Sequence, residues 1–106
     1  MVDYIFDSTV LIDYLRGHSS VHAYIQILLD APKTVGYSVI TEAELWAGVR
    51  NQQDEQRHKD LLARMKRLNV SSQIARIAGS FYGQHRAQGL ALPDALIAAT
   101  ARIWAG

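Results

Sequence analysis

The chain has 106 residues, enough for one compact domain and too few for two. Apolar residues make up 49% and charged residues 20%, which excludes a disordered, collagen-like or low-complexity chain, and the lack of cysteine excludes disulfides, thiol catalysis and Cys-based zinc sites. Eleven Lys and Arg against ten Asp and Glu leave a formal charge of +1, so any polyanion must be held by a local patch rather than by the field of the whole molecule. The apolar stretch Ala95 to Ala101 is far short of the ~20 residues a membrane span needs. Asp3, Asp7 and Asp13 stand where a signal peptide carries a positive charge and an apolar run, so a soluble cytoplasmic protein is expected.

Residues 2 to 6 (VDYIF) are β-branched and aromatic and predict a strand that stops at Asp7. Val10, Leu11, Tyr14 and Leu15 then predict a short helix, closed by Arg16 and by Gly17 in the left-handed conformation. A second helix from near Ser20 places Val21, Tyr24, Ile25, Leu28 and Leu29 on one face before Pro32. Thr34 to Ile40 (TVGYSVI) is strand-like again. Thr41 opens the next helix, with Thr41 and Glu44 at capping-box spacing. Gln52 to Gln56 is polar, a helical stripe follows at Leu61, Leu62, Met65 and Leu68, and Leu68 to Val70 fits a short third strand.

Residues 72 to 88 place Ile74, Ile77, Ala78, Phe81, Tyr82 and His85 at helical intervals. A neighbouring stripe of Ala75, Gly79, Gly83 and Ala87 implies close approach of another backbone, because each helical glycine costs about 1 kcal/mol relative to alanine. Gly89 ends this helix and Pro93 starts the last, whose apolar residues surround its axis and call for cover on most sides. Strands alternating with helices predict an α/β layer architecture around a parallel sheet.

Asp7, Glu44 and Asp94 each lie where a strand ends or a helix begins, the rim on which α/β proteins place their sites. A trio of carboxylates there suits a hard divalent cation such as Mg²⁺, and with it hydrolysis of a phosphodiester. Each acid also has a plainer use. Asp7 fits a helix cap, Glu44 the third position of the capping box, and Asp94 a helix N-terminus where an anion gains from the dipole.

FDSTVLIDYLRG, SVITEAELWAG and LPDALIAATA, in this order, resemble the PIN-domain family, specifically VapC-type toxins of toxin–antitoxin pairs. The likeness runs from residue 3 to the last residue, and IARIAGSFYGQHRAQG resembles the family's helix before the third acid. It implies a PIN-like three-layer α/β/α fold over residues 1–106 and a magnesium- or manganese-dependent endoribonuclease acting on tRNA or another structured RNA. The implied partners are a small antitoxin and, as a homodimer, a second copy. Asp7, Glu44 and Asp94 take the positions of the family's metal-holding acids, and Ser8 and Thr9 those of the small polar pair that orders water or substrate. Asp13 and Glu42 match no site position. The family's further C-terminal strands and fourth acid or Asn have no counterpart before Gly106, so a truncated chain is expected, with exposed edges that invite self-association. That departure keeps an alternative open, an inactive module that binds an antitoxin or itself. An aspartate-based phosphohydrolase using Asp7 as nucleophile is a weaker third reading, since Thr9 stands where its second acid belongs.

The histidines form no site: a helix boundary separates His18 from His22, and His58 and His85 are isolated. Arg57, Lys59, Arg64, Lys66 and Arg67 cluster on one segment, either a solvated face or a phosphate-binding patch. Trp46, away from the Leu45 and Val49 stripe, is the aromatic best placed for an interface, with Trp104 and the tyrosines mostly in the core.

Overall fold

The computed structural model of the chain describes residues 1–105; Gly106 lies outside the described residues. Strand β1 (Tyr4–Phe6) leads into α1 (Ser8–Leu15), which ends at Gly17 with φ at +76°, the left-handed stop expected there. Helix α2 (Ser19–Asp30) carries the chain back to β2 (Val35–Ser38). Helices α3 (Val39–Ala47) and α4 (Gln52–Ala63) precede β3 (Lys66–Leu68), and α5 (Ser72–His85), a 3-10 turn (Arg86–Gln88) and α6 (Leu92–Trp104) complete the described residues. Both strand pairs are parallel, in the order β1-β2-β3, with Phe6 opposite Tyr37 and Tyr37 opposite Arg67. Parallel neighbours require crossover connections, and α1 with α2, then α3 with α4, supply them. The expected layered α/β/α arrangement is the one observed. No helix among the described residues is long and apolar enough to cross a membrane.

All four residues of β2 are buried, as a central parallel strand covered on both faces requires. Gly36 is needed there: a Cβ at this position would lie 2.8 Å from Leu68 Cδ1 on the neighbouring strand. One core cluster joins Phe6, Val35 and Tyr37 of the sheet to Leu11, Ile25, Leu28, Leu45, Leu61 and Leu62 of α1 to α4. A second cluster holds Ile74 and Ala78 of α5 against Ala95 and Ala99 of α6. The second unit is tied back by Val2 N–H donating to the Trp104 carbonyl at 3.2 Å and by Trp104 Nε1–H donating to the Asn69 carbonyl at 3.2 Å.

Several boundaries differ from expectation. The second strand stops at Ser38, and Val39 and Ile40 open α3, because the Ser38 hydroxyl accepts from Ile40 N–H and caps the helix. The polar segment from Gln52 is already helical, capped by Asn51 Oδ1 accepting from Asp54 N–H at 2.8 Å. The third strand lies two residues earlier than Leu68 to Val70. The stripe Ala75, Gly79, Gly83 and Ala87 does not face another backbone: all four are exposed, and added Cβ atoms at Gly79 and Gly83 meet nothing within 4 Å. Helix α6 begins one residue before Pro93 and is covered on one side only, through Ala95, Ala99 and Thr100, while Leu92 and Ile103 are exposed.

Candidate functional site

Asp7 leaves the end of β1 and caps α1, its Oδ1 accepting from Val10 N–H at 3.0 Å. Such a cap is worth about 0.5–2 kcal/mol and explains why the chain turns into a helix here. It uses one carboxylate oxygen and leaves Oδ2 on an exposed side chain.

Glu44 is not part of a capping box. Because Ser38 caps α3, Thr41 falls inside the first turn, where it is fully buried and its Oγ1 has no hydrogen-bond partner. Glu44 lies beyond the first turn and is exposed. Its Oε1 accepts from Ser8 Oγ at 2.5 Å, across a separation of 36 residues. That bond brings the first acid's neighbour directly onto the second acid.

Asp94 stands in the first turn of α6, exposed, and the cap position before it is Ala91, which has no side chain to cap with. Helix α6 packs against α3, so Asp94 and Glu44 ride on touching helices. Among the described residues no three His, Asp or Glu side chains stand close enough together to hold one ion. Ser8, the neighbour of Asp7, is bonded to Glu44, and Asp94 stands on the adjoining helix. Asp13 faces His18 at 3.8 Å and Glu42 pairs with Arg67 at 3.1 Å, both outside this group.

Beside Glu44 a groove of about 320 Å³ runs between α1, α3 and α4, lined among others by Arg16, Arg50, Asp54, Arg57 and His58. Arg50 Nε lies 3.3 Å and Arg57 Nη1 4.0 Å from the Asp54 carboxylate, and Arg57 Nη2 also donates to the Leu15 carbonyl. Of these arginines the sequence offers only Arg57 for a phosphate-binding patch, and Arg16 only as the end of α1. Arg16 and Arg50 lie on separate elements with no periodic link to it, so packing alone assembles them.

The predicted basic cluster does not form one patch. Lys59 pairs with Glu55 at 3.6 Å, Arg64 with Asp30 at 2.6 Å and Arg67 with Glu42, while Lys66 Nζ sits 5.2 Å from the Trp104 ring centre. The Arg67 guanidinium is held above its usual range first by the Tyr37 hydroxyl and then by Glu42. His22 stacks on Tyr14 with ring centres 4.4 Å apart, His58 meets the edge of half-buried Trp46, and His85 Nδ1 lies 3.0 Å from the Phe81 carbonyl oxygen. These are packing roles.

The PIN domain family profile matches residues 4–103. Among solved structures, the chain is similar to a toxin–antitoxin complex from Klebsiella pneumoniae, with 31% identity and a TM-score of 0.77 over 95% of this chain and 79% of that one. It is similar to FitAcB from Neisseria gonorrhoeae at 25% identity and a TM-score of 0.71, covering 93% of this chain and 80% of that one. DNA-bound VapBC from Salmonella typhimurium shares the fold at 18% identity and a TM-score of 0.77, covering 95% and 80% of the two chains. A search of curated proteins finds no match.

Proposed function

The chain belongs to the PIN domain family, and from that premise we propose that it is a metal-dependent endoribonuclease and the toxin of a VapBC-type toxin–antitoxin pair. The observation that supports the reading is the Ser8 hydroxyl on Glu44 Oε1, which joins the residue after Asp7 to the acid of α3. Had Glu44 been a capping residue, its carboxylate would have been occupied by its own helix. It is free of that duty.

The available donors are oxygens only, on exposed carboxylates, and fit a hard, largely hydrated ion that takes few protein ligands. Asp7 Oδ2 and Glu44 Oε2 would hold it, and Asp94 would join them only by a shift of α6, since no three acids stand within reach of one ion among the described residues. When bound, Mg²⁺ or Mn²⁺ supplies Lewis-acid activation of water and neutralises charge developing on a phosphodiester. The chain's own residues set the geometry. The cap bond to Val10 N–H fixes the Asp7 carboxylate with one oxygen outward, and Ser8 fixes one oxygen of Glu44 in the same way. Asp94 enters from α6 and so depends on how α6 packs against α3. In this reading the substrate is tRNA or another structured RNA, and a small antitoxin and a second copy of the chain are the protein partners. The Klebsiella pneumoniae relative, itself part of a toxin–antitoxin complex, supports the antitoxin.

The test is cleavage of RNA by the purified chain with Mg²⁺ or Mn²⁺. Chelation by EDTA should stop it and added metal restore it. Asp7→Asn and Glu44→Gln should each lower the rate by about 10² to 10³, the equivalent of several kcal/mol of charge stabilisation, with circular dichroism unchanged. Undiminished cleavage by either folded variant overturns the assignment.

A further inference from the structure

We propose that the groove between α1, α3 and α4 is a phosphate-backbone subsite, in which Arg16, Arg50 and Arg57 hold the RNA strand that leads to the acids. The inference rests on the ribonuclease reading only for the identity of the polyanion. The groove is continuous with the site, because Glu44 is one of its lining residues.

Charge pairing distinguishes this groove from the other cations of α4 and β3. Lys59, Arg64 and Arg67 each have a carboxylate of their own, and Lys66 lies over the Trp104 ring instead. Here two guanidiniums, Arg50 and Arg57, share the single carboxylate of Asp54, and Arg16 has no acidic partner among the described residues. The other acid in the groove, Glu44, already accepts the Ser8 hydroxyl and belongs to the proposed ion site. The three arginines of the groove outnumber its two carboxylates, Asp54 and Glu44, and a phosphodiester strand supplies the complement.

Arg57 is also held ready. Arg57 donates to the Leu15 carbonyl while lying by Asp54, which pins its planar fork across the α1–α4 boundary. Arg50 pairs with Asp54 four residues on and stays exposed, and Arg16 follows α1 with its side chain exposed. Pre-oriented guanidiniums lose less freedom per bond to phosphate than free side chains do. The RNA's bases are not read by these contacts, so the subsite positions the strand without specifying its sequence.

The experiment is equilibrium binding of a fluorescein-labelled, mixed-sequence single-stranded RNA, followed by anisotropy in EDTA so that no hydrolysis occurs, between about 50 and 200 mM salt. Each phosphate contact on a single strand contributes a slope of about −0.7 in log affinity against log salt, which is about fivefold in affinity at 0.1 M relative to 1 M. Arg16→Ala and Arg50→Ala should each weaken binding about fivefold at 0.1 M and flatten the slope by about 0.7. Arg16→Lys should restore the slope, and Lys59→Ala should leave it unchanged. Thermal melting of each variant checks that the fold is intact. No binding by the parent chain, or RNA affinity unaffected in the folded Arg16→Ala/Arg50→Ala variant, overturns the proposal and leaves the groove to a protein partner. An equal loss in Lys59→Ala overturns it as well, since the field would then be diffuse. Arginine-dependent binding by a chain that cleaves nothing retires the nuclease reading alone; cleavage with arginine-independent binding retires this one alone.

Discussion

The two core clusters are built differently. The sheet side packs large side chains, Leu11, Ile25, Leu45 and Leu61 among them, from four helices onto β1 and β2. The α5–α6 side has alanines and Ile74 as its fully buried residues, and its larger side chains, Ile77, Tyr82, Leu90, Leu96 and Trp104, are only partly buried around them. The site is divided along the same line: Asp7 and Glu44 stand on the first unit and Asp94 on the second. Two acids therefore inherit the rigidity of a large core. The third inherits whatever holds the helical hairpin to the sheet.

The largest expected effect comes from breaking the stronger side. Leu11 is fully buried in α1, the helix that begins at Asp7 and Ser8. Leu11→Ala should destabilise the chain by about 2–5 kcal/mol in urea unfolding, the range for deleting a buried leucine and leaving a cavity. A loss below about 1 kcal/mol would mean that this cluster is not the dominant core, and the contrast between the halves would fail.

A smaller effect sharpens the contrast from the other side. Trp104→Phe removes the donor to the Asn69 carbonyl and weakens the contact with Lys66, while leaving the backbone bond from Val2 in place. The expected cost is about 1 kcal/mol. Amide exchange should rise in α5 and α6 and stay protected in the sheet, since local opening follows local tie points. Equal acceleration in α1 to α4 would show that the two units open together.

Much of this division was legible in the sequence, and its limits have physical causes. Tyr4–Phe6 and the α2 stripe declare themselves because hydrophobic period and breakers agree. Val39 and Ile40 read as strand because they are β-branched, yet the Ser38 hydroxyl outweighs that preference by capping α3. The start of α4 shows no apolar stripe before Leu61, because its first turns are held by pairs four residues apart, Lys59 to Glu55 and Gln56 to Asp60. The acids could be found one by one at strand ends and helix starts. The bond between Ser8 and Glu44 could not, since 36 residues separate them and only the packing of α1 beside α3 closes the gap. The arginine groove was hidden for the same reason.

The smallest predicted effect has the opposite sign and bears on the exposed side of the weaker unit. Gly79 and Gly83 lie inside α5 with open space where a Cβ would go. Nothing in the chain needs them small, so Gly79→Ala should stabilise the chain by about 0.5–1 kcal/mol through reduced backbone freedom in the unfolded state. RNA cleavage should stay unchanged, because α5 carries none of the three acids and none of the groove arginines. If the substitution stabilises the isolated chain but weakens association between copies in analytical ultracentrifugation, the glycine stripe is a contact surface between chains. The small residues of α5 would then serve packing after all, against a partner rather than within the fold.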